Sequence, residues 1–288
     1  MPFRRQAAAL DEAHQTLHGR FTANLSPSSR IRAIPDDTDL TTRIREIKAR
    51  KPTWGVRRVR AWVRKKAGIP VGRKRVSRIM RREGLLCPRI KKREHRNIRT
   101  RITATRINQL WATDMTSFVL SNGSTVYLVL VEDVFTRRIV GWHVSSRCRA
   151  VEWTTALDQA ILTEFPDGSR GQNLTLRMDN GCQPTSKHYQ EVLSVGDITG
   201  EWTGYNCPEQ NAHIESLIGT LKADWLWLDE CSTLEEARAL CARAVSEYNA
   251  EHPHSALGMW TPLEFTDLVK KGLVSVNNNS LVFALKAA

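Results

Sequence analysis

The sequence predicts an α/β protein: a mixed β-sheet flanked by helices, preceded by a small all-α unit. Three observations carry this reading. Charge divides along the 288-residue chain, with 30 Lys and Arg against 8 Asp and Glu in residues 1–110, and 13 against 22 in residues 111–288. Three strand-like runs follow closely from Gln109, and the strict alternation of "NLTLRMD" marks a fourth. Helix and strand patterns then alternate, which is how mixed α/β sheets read in sequence.

Bulk properties narrow the function. Hydrophobic residues make up 41% of the chain, enough for a sizeable core at this length. A net charge of +13 points to a polyanionic partner, nucleic acid or an anionic membrane surface. The basic front suits phosphate contact, and the acidic back has carboxylates to spare for metal ions. Cysteines 87, 148, 182, 207, 231 and 241 are scattered with no C-x-x-C pair, which argues against structural zinc. His14 and His18 have half a ligand spacing and no cysteine partner. No disulfide framework, transmembrane-length apolar run or signal-peptide core is evident, so a soluble cytoplasmic protein is expected, with no membrane partner.

Residues 1–36 carry only loop signals, "LSPSSR" and "IPDD", and are expected to be a poorly defined lead-in. Three short helices follow in a unit spanning 37–87. Leu40, Ile44 and Ile47 share the face of the first, Val56, Val59 and Val63 that of the second, and Val76, Ile79 and Met80 that of the third, which stops at Gly84. The third exposes Arg73, Lys74, Arg75, Arg78, Arg81 and Arg82. Three short helices ending in a basic one match a helix-turn-helix type of module, with these side chains as DNA contacts. Such contacts go mainly to the DNA backbone and position without reading sequence. A basic linker, 88–107, leads into a second domain, 108–268, and a C-terminal tail, 269–288.

In that domain "QLWATDMTSFVL", "STVYLVLVEDVF" and "RRIVGWHVS" read as an antiparallel meander. Six consecutive apolar residues in the second indicate a strand covered on both faces. "VEWTTALDQAILTEF" is a helix, "NLTLRMD" a strand, "TSKHYQEVLSVG" a helix and "DITGEWT" a short strand. In "NCPEQNAHIESLIGTLKADW" and just beyond, Ile214, Leu217, Ile218, Leu221, Trp225 and Leu228 make an apolar stripe at 3/4 spacing. Thr233 and Glu236 form a capping box for a further helix ending near Asn249. "NNNS" at 277–280 reads as a turn only.

Three acids stand out. Asp114 lies inside the first strand, a costly place for a charge without a partner or a metal. Asp179 ends the alternating strand just before Asn-Gly, where α/β sheets usually place ligand-binding groups. Glu215 lies about 100° round the helix from Ile214, on the flank of the stripe. Gly219 and Lys222 continue that flank, the first leaving room and the second adding a cation. Converging carboxylates raise one another's pKa values, and divalent cations with oxygen ligands relieve that. Spacing alone does not separate such a site from three unrelated acids.

The runs around these acids do. Asp114, Asp179, 35 intervening residues and Glu215 resemble the D-D-35-E signature of retroviral-type integrases and many bacterial insertion-sequence transposases. "LWATDMTSF", "FTRRIVGW", "DNGCQPTS", "NAHIESLIGTLK" and "YNAEHPHSALGMWTPLEF" each resemble that family, and "WGVRRVRAWVRKKAGIPVGRKRVSRIMRREGLL" resembles the helix-turn-helix-like segment that precedes the core in second-frame insertion-sequence products. The likeness covers about residues 40–267. It implies an RNase H-like core with a five-stranded mixed sheet, and DNA cleavage with strand transfer using two Mg²⁺ or Mn²⁺ ions. Asp114, Asp179 and Glu215 would be catalytic metal ligands, with Lys222 on DNA near the element end. Gln183 and Asn211 match family positions without an assigned role. The implied partners are element-end and target DNA, further copies of the chain, and a first-frame product carrying another helix-turn-helix and a zipper. "RMDNGCQP" departs from the commoner "HSDRGSQY", with Asn180 nearer the integrase form and Pro184 in place of an aromatic.

Other residues carry less. Asp133 matches a structural turn of the family. His213, His252 and His254 read as packed residues, and two-metal chemistry needs no histidine base. Trp142, Trp153 and Trp225 fall on core faces, whereas Trp202 and Trp260 lie near loops where bases can stack. Two other functions compete: a catalytically incomplete DNA-binding regulator lacking its first-frame partner, and a nuclease of RNA–DNA hybrids. The intact acid triple opposes the first, and the basic front with the P-H-S-A-L-G tail opposes the second.

Overall fold

The apolar run of the second strand decides how the protein is layered. Alternate side chains of a strand point to opposite faces, so a run without alternation must be covered twice. In the computed structural model, which describes residues 37–88, 104–203, 211–277 and 280–283, it is. Val126, Leu128 and Leu130 enter one buried cluster, and Val129 and Val131 enter another on the opposite side. The lead-in 1–36, most of the basic linker and the stretch 204–210 lie outside the described residues, as do His14 and His18.

The sheet has five strands: β1 (Leu110–Val119), β2 (Thr125–Asp133), β3 (Arg138–Ser145), β4 (Thr175–Met178) and β5 (Thr199–Trp202), in the order β3-β2-β1-β4-β5. The first three form the expected antiparallel meander, while β4 and β5 run parallel to β1. The mixed sheet flanked by helices is therefore as read from the sequence. Asp133 closes the turn after β2 by accepting the backbone N–H groups of Asn108, Phe135 and Thr136, a structural role.

Eight helices are described: α1 (Thr38–Arg50), α2 (Val56–Lys65), α3 (Arg73–Arg82), α4 (Ala150–Glu164), α5 (Lys187–Val195), α6 (Ala212–Leu221), α7 (Leu234–Glu251) and α8 (Pro262–Lys270). Trp153, Ala156, Leu157 and Ala160 of α4 are buried against β3, where a side chain on Gly141 would collide with the Ala156 carbonyl. Helices α6, α7 and α8 belong to the other cluster, with Ile214, Leu217, Leu221, Ala244, Tyr248 and Phe265 buried in it. The chain divides into two compact units at Thr41/Thr42, and of the first only residues 37–41, at the start of α1, are described.

Three features differ from the sequence reading. The stripe of α6 ends at Trp225: a π-turn, Lys222–Leu226, follows the helix, adds a residue to its turn and rotates the phase, so Leu228 is exposed. Past the second domain's last helix, β6 (Val274–Asn277) and β7 (Ser280–Phe283) form a hairpin around the "NNNS" turn, and Phe283 packs edge-on against Phe265. Helix α8 begins with a capping box, Thr261 with Glu264, and Pro262 at its first position.

The helical unit is tied to the second domain by a buried polar joint. Asp224, 2% exposed, accepts hydrogen bonds from Thr53 Oγ1 and, at 3.0 Å, from Trp54 Nε1. Lys51, 3% exposed, donates to Glu247 at 3.0 Å and sits 3.4 Å over the Trp225 ring. Burial pushes the Lys51 amine down, and Glu247 works against that. Trp225 Nε1 donates to Glu247 as well, at 2.8 Å. His252 lies 3.7 Å from Asp224, but burial holds its pKa well below the usual value, so the contact is no ion pair at neutral pH. Outside this cluster Arg50 meets Glu251 at 3.1 Å, and Lys65 meets Glu264 at 2.8 Å.

Candidate active site

Strand register brings the two aspartates together. In the parallel pairing of β1 with β4, Ala112 stands opposite Arg177. Two residues further along each chain lie Asp114 and Asp179, adjacent and on one face by the two-residue repeat of a strand. β4 ends at Met178 while β1 continues to Val119, so the Asp179 carboxylate stands where the sheet opens. Both aspartates are half-buried.

Local hydrogen bonds orient each acid. Asp114 Oδ1 accepts from the Met115 N–H at 2.7 Å. Asp179 Oδ1 accepts from the Gly181 N–H at 3.0 Å, an Asx turn formed by the Asp-Asn-Gly run. Gly181 is required by space: a Cβ there would fall 2.9 Å from Asp179 Oδ1. Asn180 Nδ2 ties the same loop to the Thr203 carbonyl at 2.5 Å.

Glu215 sits in the first turn of α6, exposed, on the flank of a helix that packs on β1. Ile214 and Leu217 are buried on either side of it in sequence, which fixes the helix's rotation. Gly219, on the same flank, faces open space, where even a Cβ would meet nothing. Lys222 caps the C-terminal end of α6.

Electrostatics joins the four residues. Burial pushes the Asp114 carboxyl up to about 6; the Met115 N–H opposes this, the charges of Asp179 and Glu215 add to it, and Lys222 opposes it. All three neighbours therefore lie within Coulomb reach of Asp114. No ion pair joins any of the three acids to a cation among the described residues. Among those residues no three carboxylate, histidine or cysteine groups stand close enough together to hold a metal ion. Carboxylates with no cation between them repel, and here Asp114 and Asp179 each turn one oxygen to a backbone N–H. The donor set is hard oxygen throughout, the chemistry that Mg²⁺ and Mn²⁺ take.

The residues around the acids are positioned rather than reactive. His213 faces Arg137 at 3.5 Å, and burial with the charges of Arg137 and Arg177 lowers its pKa to about 4, leaving it neutral. Gln183 Nε2 donates to Cys148 Sγ at 3.0 Å. Asn211 is buried at the start of α6. On α3, Arg73, Lys74, Arg78, Arg81 and Arg82 are exposed, Arg75 is half-buried, and Arg82 pairs with Glu83 at 3.0 Å. Trp202 is 42% exposed at the end of β5, while Trp260 is partly buried against the core with Lys65 over its ring. Sequence reasoning missed Asp224; Glu132 it places at the end of the second strand, beside Asp133, where it could be mistaken for a ligand. Glu132 is fully buried on β2, one carboxyl oxygen has no partner, and burial pushes it up to about 7.

Known proteins resemble the chain along most of its length. Residues 35–93 match an HTH-like domain, and residues 104–203 and 198–262 match an integrase core domain. The transposase InsD of insertion element IS2 in Escherichia coli is 30% identical over 241 residues, covering 80% of this chain and 79% of the relative. The InsD copy of IS2-9 in Escherichia coli K12 is equally similar, with 77% of its length covered. Among solved structures, the simian T-cell lymphotropic virus intasome with PP2A regulatory subunit B56 gamma aligns at TM-score 0.45 and 15% identity, over 72% of this chain and 73% of that one. The HTLV-2 integrase catalytic core with magnesium aligns at TM-score 0.39 and 19% identity, over 55% of this chain and 95% of that one. No described helix is long and apolar enough to cross a membrane.

Proposed function

The chain belongs to the insertion-element transposases that carry an HTH-like domain and an integrase core, and from that premise we propose that it cuts and joins DNA through Asp114, Asp179 and Glu215. The observation that carries this is the register of β1 against β4, which sets Asp114 beside Asp179, together with the packing on β1 of the helix that bears Glu215, near enough for its charge to act on Asp114.

The proposed reaction has two steps of phosphodiester chemistry. Hydrolysis at the element end leaves a 3′-OH, and that 3′-OH then displaces the 3′-oxygen of a target phosphodiester in line. No covalent protein–DNA link forms, so the protein contributes position and charge stabilisation. Asp114, Asp179 and Glu215 would hold two Mg²⁺ or Mn²⁺ ions, which when bound activate the attacking oxygen and stabilise the leaving one. Strand register fixes Asp114 beside Asp179, Gly181 keeps the Asp179 carboxylate turned inward, and the buried stripe of α6 sets where Glu215 points. Lys222 supplies a cation for a DNA phosphate at the same opening. Arg73, Lys74, Arg75, Arg78, Arg81 and Arg82 in the 37–87 unit hold the DNA backbone, while residues 108–268 do the chemistry. A multimer on DNA and a first-frame partner belong to the same proposal.

The test is strand transfer with pre-cut element-end duplexes, plasmid target and Mg²⁺, with and without a first-frame partner. Wild-type protein forms joined products, and Asp179→Asn forms none while binding the duplex equally well. Wild-type activity in Asp179→Asn sinks the assignment. Duplex binding without joining, even with the partner supplied, favours the regulator reading.

A further inference from the structure

Helix α2 faces a cavity of about 490 Å³, and its walls come from both ends of the protein's sequence. Gly55, Arg57 and Arg58 at the start of α2 form one side, Arg73 and Ser77 of α3 another, and Ser255 with Met259 of the P-H-S-A-L-G turn a third. We infer that this cavity is a seat for a phosphate of the DNA backbone, gripped jointly by the helical unit and the tail of the integrase core. This rests on the reading of the chain as an enzyme acting on DNA. It goes beyond that reading by placing a DNA contact outside the basic face of α3 and giving the P-H-S-A-L-G turn a binding role.

Four independent features of the cavity suit a phosphodiester. Three guanidiniums border it, and no carboxylate does. Arg58 is half-buried, its pKa is lowered by desolvation, and it makes no hydrogen bond to a described residue. A guanidinium kept from water and left without a hydrogen-bond acceptor is poised for an anion. Asp224 acts on Arg58 through its charge, but no ion pair joins the two among the described residues. The N-terminus of α2 borders the cavity too, and its N-cap, Gly55, has no side chain to satisfy the first N–H groups. Such N–H groups with the helix dipole favour an anion. Finally, Ser77 and Ser255 also line the cavity, and hydroxyl donors suit the several oxygens of a phosphate.

Contacts of Lys65 tie α2 to the turn that carries Ser255 and Met259. Lys65 Nζ donates to Glu264 at 2.8 Å and to the Met259 carbonyl at 3.2 Å. The Met259 N–H donates to the His254 carbonyl at 2.7 Å, which closes the turn carrying Ser255. Left-handed Gly258 (φ 65°) lets that turn reverse. The seat is thus preformed, and phosphate binding would cost little ordering.

The experiment measures duplex affinity by fluorescence anisotropy as a function of salt, using a labelled element-end duplex. The proteins are the full-length wild type, Ser255→Asp, Arg57→Gln, the double variant and, as an α3 control, Arg81→Gln. Ser255 and Arg57 are exposed, so their variants are expected to fold, and circular dichroism checks this. Ser255→Asp should weaken binding by roughly tenfold and lower the salt slope by about one phosphate. Arg57→Gln should do likewise, with losses that do not add in the double variant, because both act on the same phosphate. Unchanged affinity and slope in Ser255→Asp alongside weakened Arg81→Gln overturn the seat and leave the DNA reading standing. Additive losses overturn a shared phosphate. No duplex binding by wild-type protein overturns both readings.

Discussion

The buried joint and the acid site are both rich in charge, yet they handle it in opposite ways. At the joint every buried charge has a partner: Lys51 meets Glu247, and Asp224 accepts from Thr53 and Trp54. At the acid site Asp114 feels the charges of Asp179 and Glu215, with the Met115 N–H and Lys222 opposing them and no ion pair among the described residues. Pairing makes the joint a structural clamp, because each desolvation cost is recovered locally. Lack of an ion pair leaves the charge of Asp114 costly, and under the proposed function bound cations would offset that cost. The same residue type thus reads as structure in one place and chemistry in the other, and the partner distinguishes them.

That contrast breaks most sharply at Asp224. Asp224→Ala removes the acceptor for a buried Trp54 N–H and leaves the Lys51 and Arg58 cations less compensated. It should cost about 3–5 kcal/mol of stability, the usual loss when one partner of a buried charged network is deleted. Urea unfolding measures it, and a loss below about 1 kcal/mol would show that the joint is not a clamp.

Asp114 should behave in the opposite sense. Its folded pKa is raised from 3.8 to about 6, so the native state resists ionising it. Below pH 3.8 the group is protonated in both states and costs nothing. As pH rises through 6 the unfavourable charge is fully developed, worth roughly 2–3 kcal/mol at 1.36 kcal/mol per pKa unit. Without divalent ions, Asp114→Asn should therefore stabilise the protein at pH 7.5 and do nothing near pH 3.5. A destabilised variant at pH 7.5 would place Asp114 among the paired, structural acids.

A smaller effect is expected at Gly181. Gly181→Ala pushes a methyl against Asp179 Oδ1, so strand transfer should fall roughly tenfold while melting temperature barely moves. Wild-type kinetics would mean that the Asx turn does not orient this acid.

How far the sequence could be read follows the range of each interaction. The meander, the alternating β4 and the capping box at Thr233 depend on near neighbours, and all are present in the structure. The three acids stood out because strand and helix periodicity places each on a known face. Their adjacency needed more, since the register of β1 against β4 joins residues over sixty positions apart. The joint was illegible for the same reason: nothing near Thr53 or Trp54 announces Asp224. Leu228 was misplaced because periodicity assumes an unbroken α-helix, and the π-turn at Lys222–Leu226 breaks it. The terminal hairpin was missed because its strands are four residues each, too short for alternation to stand out beside the turn signal between them.

The central claim is that Asp114, Asp179 and Glu215 remain unpaired in order to hold cations. The most direct measurement is the melting temperature of wild-type protein and of Asp114→Asn at pH 7.5, titrated with Mg²⁺ against KCl of matched ionic strength. Binding to the folded state alone raises stability with ligand concentration. Wild-type protein should gain a few degrees, about 2–4 °C per kcal/mol for a domain of this size, and Asp114→Asn should not respond. Equal responses in the two proteins, or none in wild type, would contradict the account.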